Sequence, residues 1–307
     1  MFVAVVMKLY NKTFTTLLLF LITCTLILAG VFLKSKVFLK NNKISEVCSK
    51  YKQVFEDEVI EPSRFVYNTD HKMLGCLINK VGSTTLLETF LKLKKIDANG
   101  RVWDYRHLIV PNDDTDMKNF KNFYKFVIVR EPMERLASCY YDKILVNSAP
   151  GLQKFKLAIK KKSDSRNNNV EESEVSFTEF LQVLVLGNRG NVTNFGRHWL
   201  PYYKLCTPCS ISYDYIGRLE NLSEIWNSSG LQSLAPLTWK NKKMSNETYN
   251  YKAILQTVPR SILVKVYQRI KLDYELFDYD FNKVLELGNY DKLNLEEDIF
   301  VDTDSID

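Results

Sequence analysis

The stretch Leu74-Gly-Cys-Leu-Ile-Asn-Lys80-Val-Gly-Ser-Thr-Thr85 runs from an apolar strand into a turn that carries one lysine, one glycine and three hydroxyls. Leu86, Leu87, Phe90 and Leu93 then recur at helical spacing, so the turn opens a helix. A helix start presents unpaired N–H groups and the positive end of the macrodipole, and a phosphate or sulfate binds there readily. Gly82 permits close backbone approach, Lys80 supplies a mobile point charge, and Ser83, Thr84 and Thr85 add donors. The nucleoside-triphosphatase pattern places its lysine after two spaced glycines. Here Lys80 precedes the only glycine of the turn, and no Gly-x-Gly-x-x-Gly occurs, so ATPase and dinucleotide readings lose support.

Working outward, a second junction follows in Lys125-Phe-Val-Ile-Val-Arg130-Glu-Pro-Met-Glu-Arg135-Leu-Ala-Ser138. Its continuous apolar run is that of a strand buried on both faces. Pro132 fits the first helical turn, and Glu131 and Glu134 suit its positive end. In a parallel sheet, Arg130 and Ser138 would face one crevice with the first turn. Two such junctions predict a single ligand with two separated anionic groups. The alternation of strand, turn and helix over 73–95, and of strand then helix from 125 to about Val146, predicts an α/β fold, a parallel sheet flanked by helices.

Together the two motifs resemble the sulfotransferases that use 3′-phosphoadenosine 5′-phosphosulfate, and in particular the Golgi membrane-bound carbohydrate sulfotransferases acting on chondroitin, dermatan and related glycans. In that family a Lys-Val-x-x-Thr turn binds the 5′-phosphosulfate, and an Arg-Asp/Glu-Pro-x-x-Arg-Leu-x-Ser-x-Tyr element binds the 3′-phosphate. Lys80-Val81-Gly82-Ser83-Thr84 and Arg130 through Tyr140 match them. The resemblance continues in His198-Trp-Leu-Pro201, Leu205-Cys-Thr-Pro-Cys209, Tyr213-Asp-Tyr-Ile-Gly-Arg-Leu-Glu220 and Tyr274-Glu-Leu-Phe-Asp-Tyr279. It implies a P-loop-like sulfotransferase fold and a donor held by Lys80, Val81, Gly82, Ser83, Thr84, Thr85, Arg130 and Ser138. It further implies an anionic glycan acceptor. No nucleic-acid partner is expected, and no metal either: Cys206 and Cys209 form a C-x-x-C, but no second such pair or suitably spaced His pair completes a tetrahedral set. One departure concerns the acceptor. Chondroitin-type members continue the first turn as Ala-Cys-Thr-Asn-Trp-Lys, whereas Gly82-Ser83-Thr84-Thr85-Leu86-Leu87 resembles the uronyl 2-O-sulfotransferases of heparan and dermatan sulfate. A membrane-anchored glycan-binding protein without turnover is a further alternative.

Sulfuryl transfer asks a protein to neutralise charge on a departing phosphate oxygen and to take a proton from the attacking hydroxyl. Lys80 is the candidate for the first task. For the second the chain offers His71, His107 and His198. His107 lies between the two donor motifs, where related glycan sulfotransferases place their base, and is preferred; His198 and Glu88 are the alternatives.

The remaining sequence sets the boundaries. Residues 14–33 carry no charge, and 20 residues rise about 30 Å as a helix, enough to cross a bilayer as a single signal anchor. The expected order is a short cytoplasmic tail (1–13), the anchor, a polar lysine-rich stem (34–64), a catalytic domain (65–290) and an acidic tail (291–307). Flanking lysines alone, Lys8 and Lys12 before the span against Lys34, Lys36, Lys40 and Lys43 after it, would leave the bulk in the cytoplasm. The resemblance implies the opposite, a type II Golgi protein with its catalytic domain in the lumen, and sequons stand at Asn191, Asn221, Asn227 and Asn246. Five cysteines outside the span leave one thiol over; Cys139, on the phosphate-binding helix, is the expected free one, and the others are expected in disulfides. Residues 154–175 read as an exposed polar insertion. Ser176 with Glu179 forms a capping box for a helix through Leu186. The lysines of 154–162 and 240–243, in a chain of net charge +6, are candidate contacts for a polyanionic acceptor.

Overall fold

The computed structural model describes residues 43–146, 150–163, 174–186, 198–221 and 250–293. The expected anchor at 14–33, the acidic tail, the sequons at Asn191, Asn227 and Asn246, and the lysines at 240–243 lie outside these residues. Among the described residues no helix is long and apolar enough to cross a membrane.

Four strands form one sheet: β1 (Phe65–Asn68), β2 (Met73–Cys76), β3 (Tyr124–Val129) and β4 (Tyr215–Arg218), side by side in that order. β1 is antiparallel to β2, whereas β2, β3 and β4 are mutually parallel, with Gly75 opposite Phe126 and Val129 opposite Arg218. Gly75 is required by that register. A Cβ there would come 2.8 Å from the Phe126 ring.

Alternation along the strands divides the core, as period-two side chains must. Leu74, Cys76, Val127 and Val129 pack on one face with Tyr202, Tyr203, Leu272 and Leu276. Met73, Phe126 and Ile128 pack on the other, against helix α2 (Ser83–Leu93) through Leu86, Leu87, Phe90 and Leu91. Helix α1 is the short Lys52–Phe55, and α3 is Asp114–Asn119. A third cluster contains no strand residue and is built mainly by helices: α4 (Pro132–Tyr140), α5 (Pro150–Ser163), α6 (Phe177–Leu186), α8 (Tyr251–Gln256), α9 (Arg260–Phe277) and α10 (Asn282–Leu287). The short α7 (Tyr202–Cys206) precedes β4.

Two sequence expectations are corrected. Residues 43–50 are helical, Ile44, Val47 and Phe55 are buried in the core, and Cys48 is bonded to Cys209. Residues 44–64 thus belong to the folded unit, which runs from Ile44 onward, instead of to a stem. Residues 150–163, expected in part as an irregular insertion, form α5: Leu152 and Ile159 are buried seven positions apart, and Phe155 and Ile159 pack on the third cluster. Interspersed lysines hid this apolar stripe. The capping box is present: Ser176 Oγ accepts from Glu179 N at 3.2 Å, and Glu179 Oε2 accepts from Ser176 N at 2.7 Å. Cysteines pair as Cys48–Cys209 and Cys76–Cys206, leaving Cys139 a buried free thiol, as expected.

Candidate active site

The three parallel strands end at one edge of the sheet, and the loops after them gather there. After β2 the chain turns through two left-handed residues, Lys80 at φ +72° and Gly82 at φ +84°. Glycine takes that conformation freely; lysine does so at a cost of about 1 kcal/mol, a sign that the turn is held by its surroundings. Gly82 is the N-cap of α2 and no side chain caps this helix, so its first amides face the turn as an anion site. Val81, Ser83 and Thr85 are buried. Thr84 Oγ1 accepts from Trp103 Nε1 at 3.2 Å.

β3 leads into α4 by a different device. Glu131 is the N-cap, its carboxylate accepting from Met133 N and Glu134 N, and the hydroxyls of Tyr251 and Tyr274 donate to the same group. Burial pushes the Glu131 carboxyl above its ordinary range, against those hydrogen bonds. Arg130 pairs with Glu134 at 2.5 Å, and Tyr202 Oη donates to the Arg130 carbonyl at 2.7 Å. Glu134 and Ser138 are the partly exposed positions of α4. Arg130, Glu134 and Ser138 thus follow one another at four-residue spacing along one face.

Arg135 joins the two motifs. Its side chain is buried and lies over the Tyr202 ring, 4.7 Å from its centroid. Nε donates to the Asn79 carbonyl at 3.2 Å, and Nη2 donates to the carbonyls of His198 (3.2 Å) and Leu200 (2.8 Å). One guanidinium thereby fixes the residue before Lys80 and the segment carrying His198 to α4.

Beyond α4 the helix widens into a π-turn, Tyr141–Val146. It brings Asp142 to Lys80: Asp142 Oδ2 lies 3.2 Å from Lys80 Nζ and 3.0 Å from Lys143 Nζ. Burial works against ionisation of Asp142, but Lys80 and Lys143 outweigh it and hold the carboxyl below its ordinary range. His198 is electrostatically coupled to the same group. Burial first, then Lys143, Lys80 and Arg135, push its imidazole down to about 4 against an opposing pull from Asp142. Its Nδ1 is shielded from solvent and has no hydrogen-bond partner among the described residues.

The other nominated bases lie elsewhere. His107 is on a 3-10 segment, Val102–Leu108, that runs along α2 from Trp103 at Thr84 to Leu108, whose carbonyl accepts from Lys94 Nζ at 3.0 Å. It is exposed at the far end of α2 from Lys80, with Nδ1 2.9 Å from the Asp104 carbonyl. Glu88, one turn into α2, forms an ion pair with Lys92 at 3.1 Å. His71 is exposed in the β1–β2 turn, at the opposite edge of the sheet.

A profile of the sulfotransferase family matches residues 63–280, which takes in the turn, α4, the π-turn and β4. The chain belongs to the sulfotransferase family. Carbohydrate sulfotransferase 14 of Danio rerio is 28% identical over 265 residues, which cover 78% of this chain and 71% of that protein. Carbohydrate sulfotransferase 10 of Rattus norvegicus is 31% identical over 257 residues, covering 71% and 69%. Carbohydrate sulfotransferase 11 of Mus musculus is 25% identical over 257 residues, covering 72% and 68%. No solved structure matches. The sulfotransferase motifs read from sequence thus share one sheet edge. Sequence reasoning missed Asp142, Lys143 and the tie made by Arg135. The only signal for the first two was a charged pair directly after the helical motif, and nothing in the sequence marks a π-turn.

Proposed function

We propose that this sulfotransferase moves a sulfuryl group from 3′-phosphoadenosine 5′-phosphosulfate to a hydroxyl of a glycan. The observation that carries the reading is the common edge: a lysine-bearing anion turn and an arginine-to-serine helix face, tied through Arg135. The residues fit such a donor. Two separated cationic sites suit two separated anionic groups, and His198 Nδ1, shielded, without a partner among the described residues and within the electrostatic reach of Lys80, is a proton acceptor in waiting. In this assignment Lys80, Val81, Gly82, Ser83, Thr84 and Thr85 hold the 5′-phosphosulfate, and Arg130 and Ser138 the 3′-phosphate. The relatives' names support a carbohydrate acceptor; a chondroitin or dermatan chain is the first to test, with heparan next.

The acceptor oxygen attacks sulfur, the bond from sulfur to the phosphate oxygen breaks, and the bisphosphate departs. Lys80 and the first amides of α2 neutralise the charge that develops on the leaving oxygen. The hydroxyl proton passes to a base. We assign that role to His198 in preference to His107, because Arg135 ties the His198 segment to the residue before Lys80 and the Lys80 charge acts on the His198 imidazole, while His107 lies at the other end of α2. Anionic donor bound between the cations would offset the part of the depression that Lys143, Lys80 and Arg135 add to that of burial, and so raise the basicity of His198.

Two cross-links, Cys48–Cys209 and Cys76–Cys206, support an oxidising compartment. With the apolar run 14–33 as signal anchor, we read the protein as a single-pass type II Golgi enzyme with a lumenal catalytic domain. The decisive experiment incubates the detergent-solubilised full chain with radiolabelled donor and a panel of chondroitin, dermatan and heparan acceptors. Label transferred to one glycan names the acceptor; no transfer to any, with donor binding intact, would favour a glycan-binding protein without turnover.

A further inference from the structure

The sequence motifs account for Lys80 but leave Asp142 and Lys143 without a role. Both ammonium groups converge on a single oxygen: Asp142 Oδ2 is 3.2 Å from Lys80 Nζ and 3.0 Å from Lys143 Nζ. The three side chains are largely shielded, at 18%, 27% and 20% exposure for Lys80, Asp142 and Lys143, so water screens the group only in part. Two lysines closing on one oxygen describe a clamp for an anion. A carboxylate oxygen has the charge and size of a sulfonate or phosphate oxygen, and this one is held by the lysine of the turn that leads into the uncapped start of α2. The placement depends on the π-turn Tyr141–Val146, a backbone form that recurs at functional sites.

We propose that Lys143 is a second donor-binding cation, and that Asp142 is an internal anion standing where a phosphosulfate oxygen of the donor binds. This rests on the donor reading above. On donor entry the ligand oxygen displaces Asp142 Oδ2 from between the two lysines; after transfer the carboxylate competes for them again and helps expel the bisphosphate. Asp142 is thus a positioning residue, which keeps the lysines together while the site holds no ligand. No covalent step is added to the reaction.

A merely structural Asp142 and a competing one differ in sign. Calorimetry with 3′-phosphoadenosine 5′-phosphate on the solubilised full chain should show Asp142→Asn binding on the order of tenfold more tightly than the unaltered chain, because a competitor has gone. Asp142→Glu, which keeps the charge, should return to the original affinity. Lys143→Met should bind at least about tenfold more weakly and Lys143→Arg nearly normally. In steady state Asp142→Asn should lower the donor KM and also kcat, as product leaves more slowly. Unchanged or weaker binding by a natively folded Asp142→Asn would overturn the internal-anion role, and normal binding by Lys143→Met would overturn the second cation. Should Asp142→Asn fail to fold, the Lys143 pair still decides. Failure of the unaltered chain to bind the bisphosphate would instead sink the donor assignment itself.

Discussion

Lys80 has two properties that pull apart on mutation. Its charge belongs to the site, while its φ of +72° is a backbone cost that any side chain with a Cβ must bear. Lys80→Ala and Lys80→Gly should both lose transfer by roughly two to three orders of magnitude, the range for removing one stabilising group from a charged transition state. The glycine variant should nevertheless be the more stable of the two by about 1 kcal/mol in denaturant titration, because it relieves the strain. His198 gives a second residue-level expectation. With its imidazole held at about 4 in the ligand-free chain, the acidic limb of kcat/KM should lie well below the ordinary histidine range, since that parameter reports the free enzyme. His198→Ala should remove the limb, and His107→Ala should leave it in place; the reverse result would return the role to His107. At this scale the two strand-to-helix junctions that carry Lys80 and Gly82, and Arg130 and Ser138, were legible because their motifs encode local geometry. The place of His107 was not. Position between two motifs says nothing about the direction in which a 3-10 segment travels, and this one carries His107 away from Lys80.

Among elements, α7 is instructive because Pro201 at its N-cap has no side chain to offer. Asp273, four residues before the end of α9, supplies the cap across the structure: its carboxylate accepts from Tyr202 N at 2.7 Å and Tyr203 N at 3.2 Å. Asp273→Ala should cost about 1–2 kcal/mol, the worth of a cap. That change would also loosen Tyr202, which braces Arg130. Burial pushes the Asp273 carboxyl up to about 7, against the two amides and Arg135. The folded state then binds the proton more tightly than the unfolded chain, so this group's contribution is full below about pH 4 and is lost as pH rises through about 7. Thermal melts across that window should show the slope in the unaltered chain and a shallower one in Asp273→Asn. Local elements with local signals were readable: the Ser176 box announced α6, and the apolar run announced β3. A cap reaching from a distant helix has no local signature, and α5 hid its stripe of Leu152, Phe155 and Ile159 among lysines.

For the whole molecule, both cross-links end on one short stretch, Cys206 to Cys209, and tie it to the helical segment at Cys48 and to β2 at Cys76. That a thiol would be left over, and that Cys139 would be it, followed from an odd count and its place on the α4 motif; the pairing itself depends on packing that no spacing encodes. Replacing Cys76 and Cys206 by serine should cost about 2–5 kcal/mol, given the 130-residue separation they span. Alkylation followed by mass spectrometry should label Cys139 only after unfolding, and Cys48, Cys76, Cys206 and Cys209 only after reduction. The arrangement also constrains how the polypeptide is made. While a ribosome delivers the chain from its amino end, Cys48 and Cys76 emerge far ahead of both rightful partners and, among the cysteines of the described residues, can meet only each other or Cys139. Biogenesis should therefore lean on a thiol-exchange catalyst to undo such premature bridges, and cells lacking one should accumulate the protein as mixed, non-native isomers.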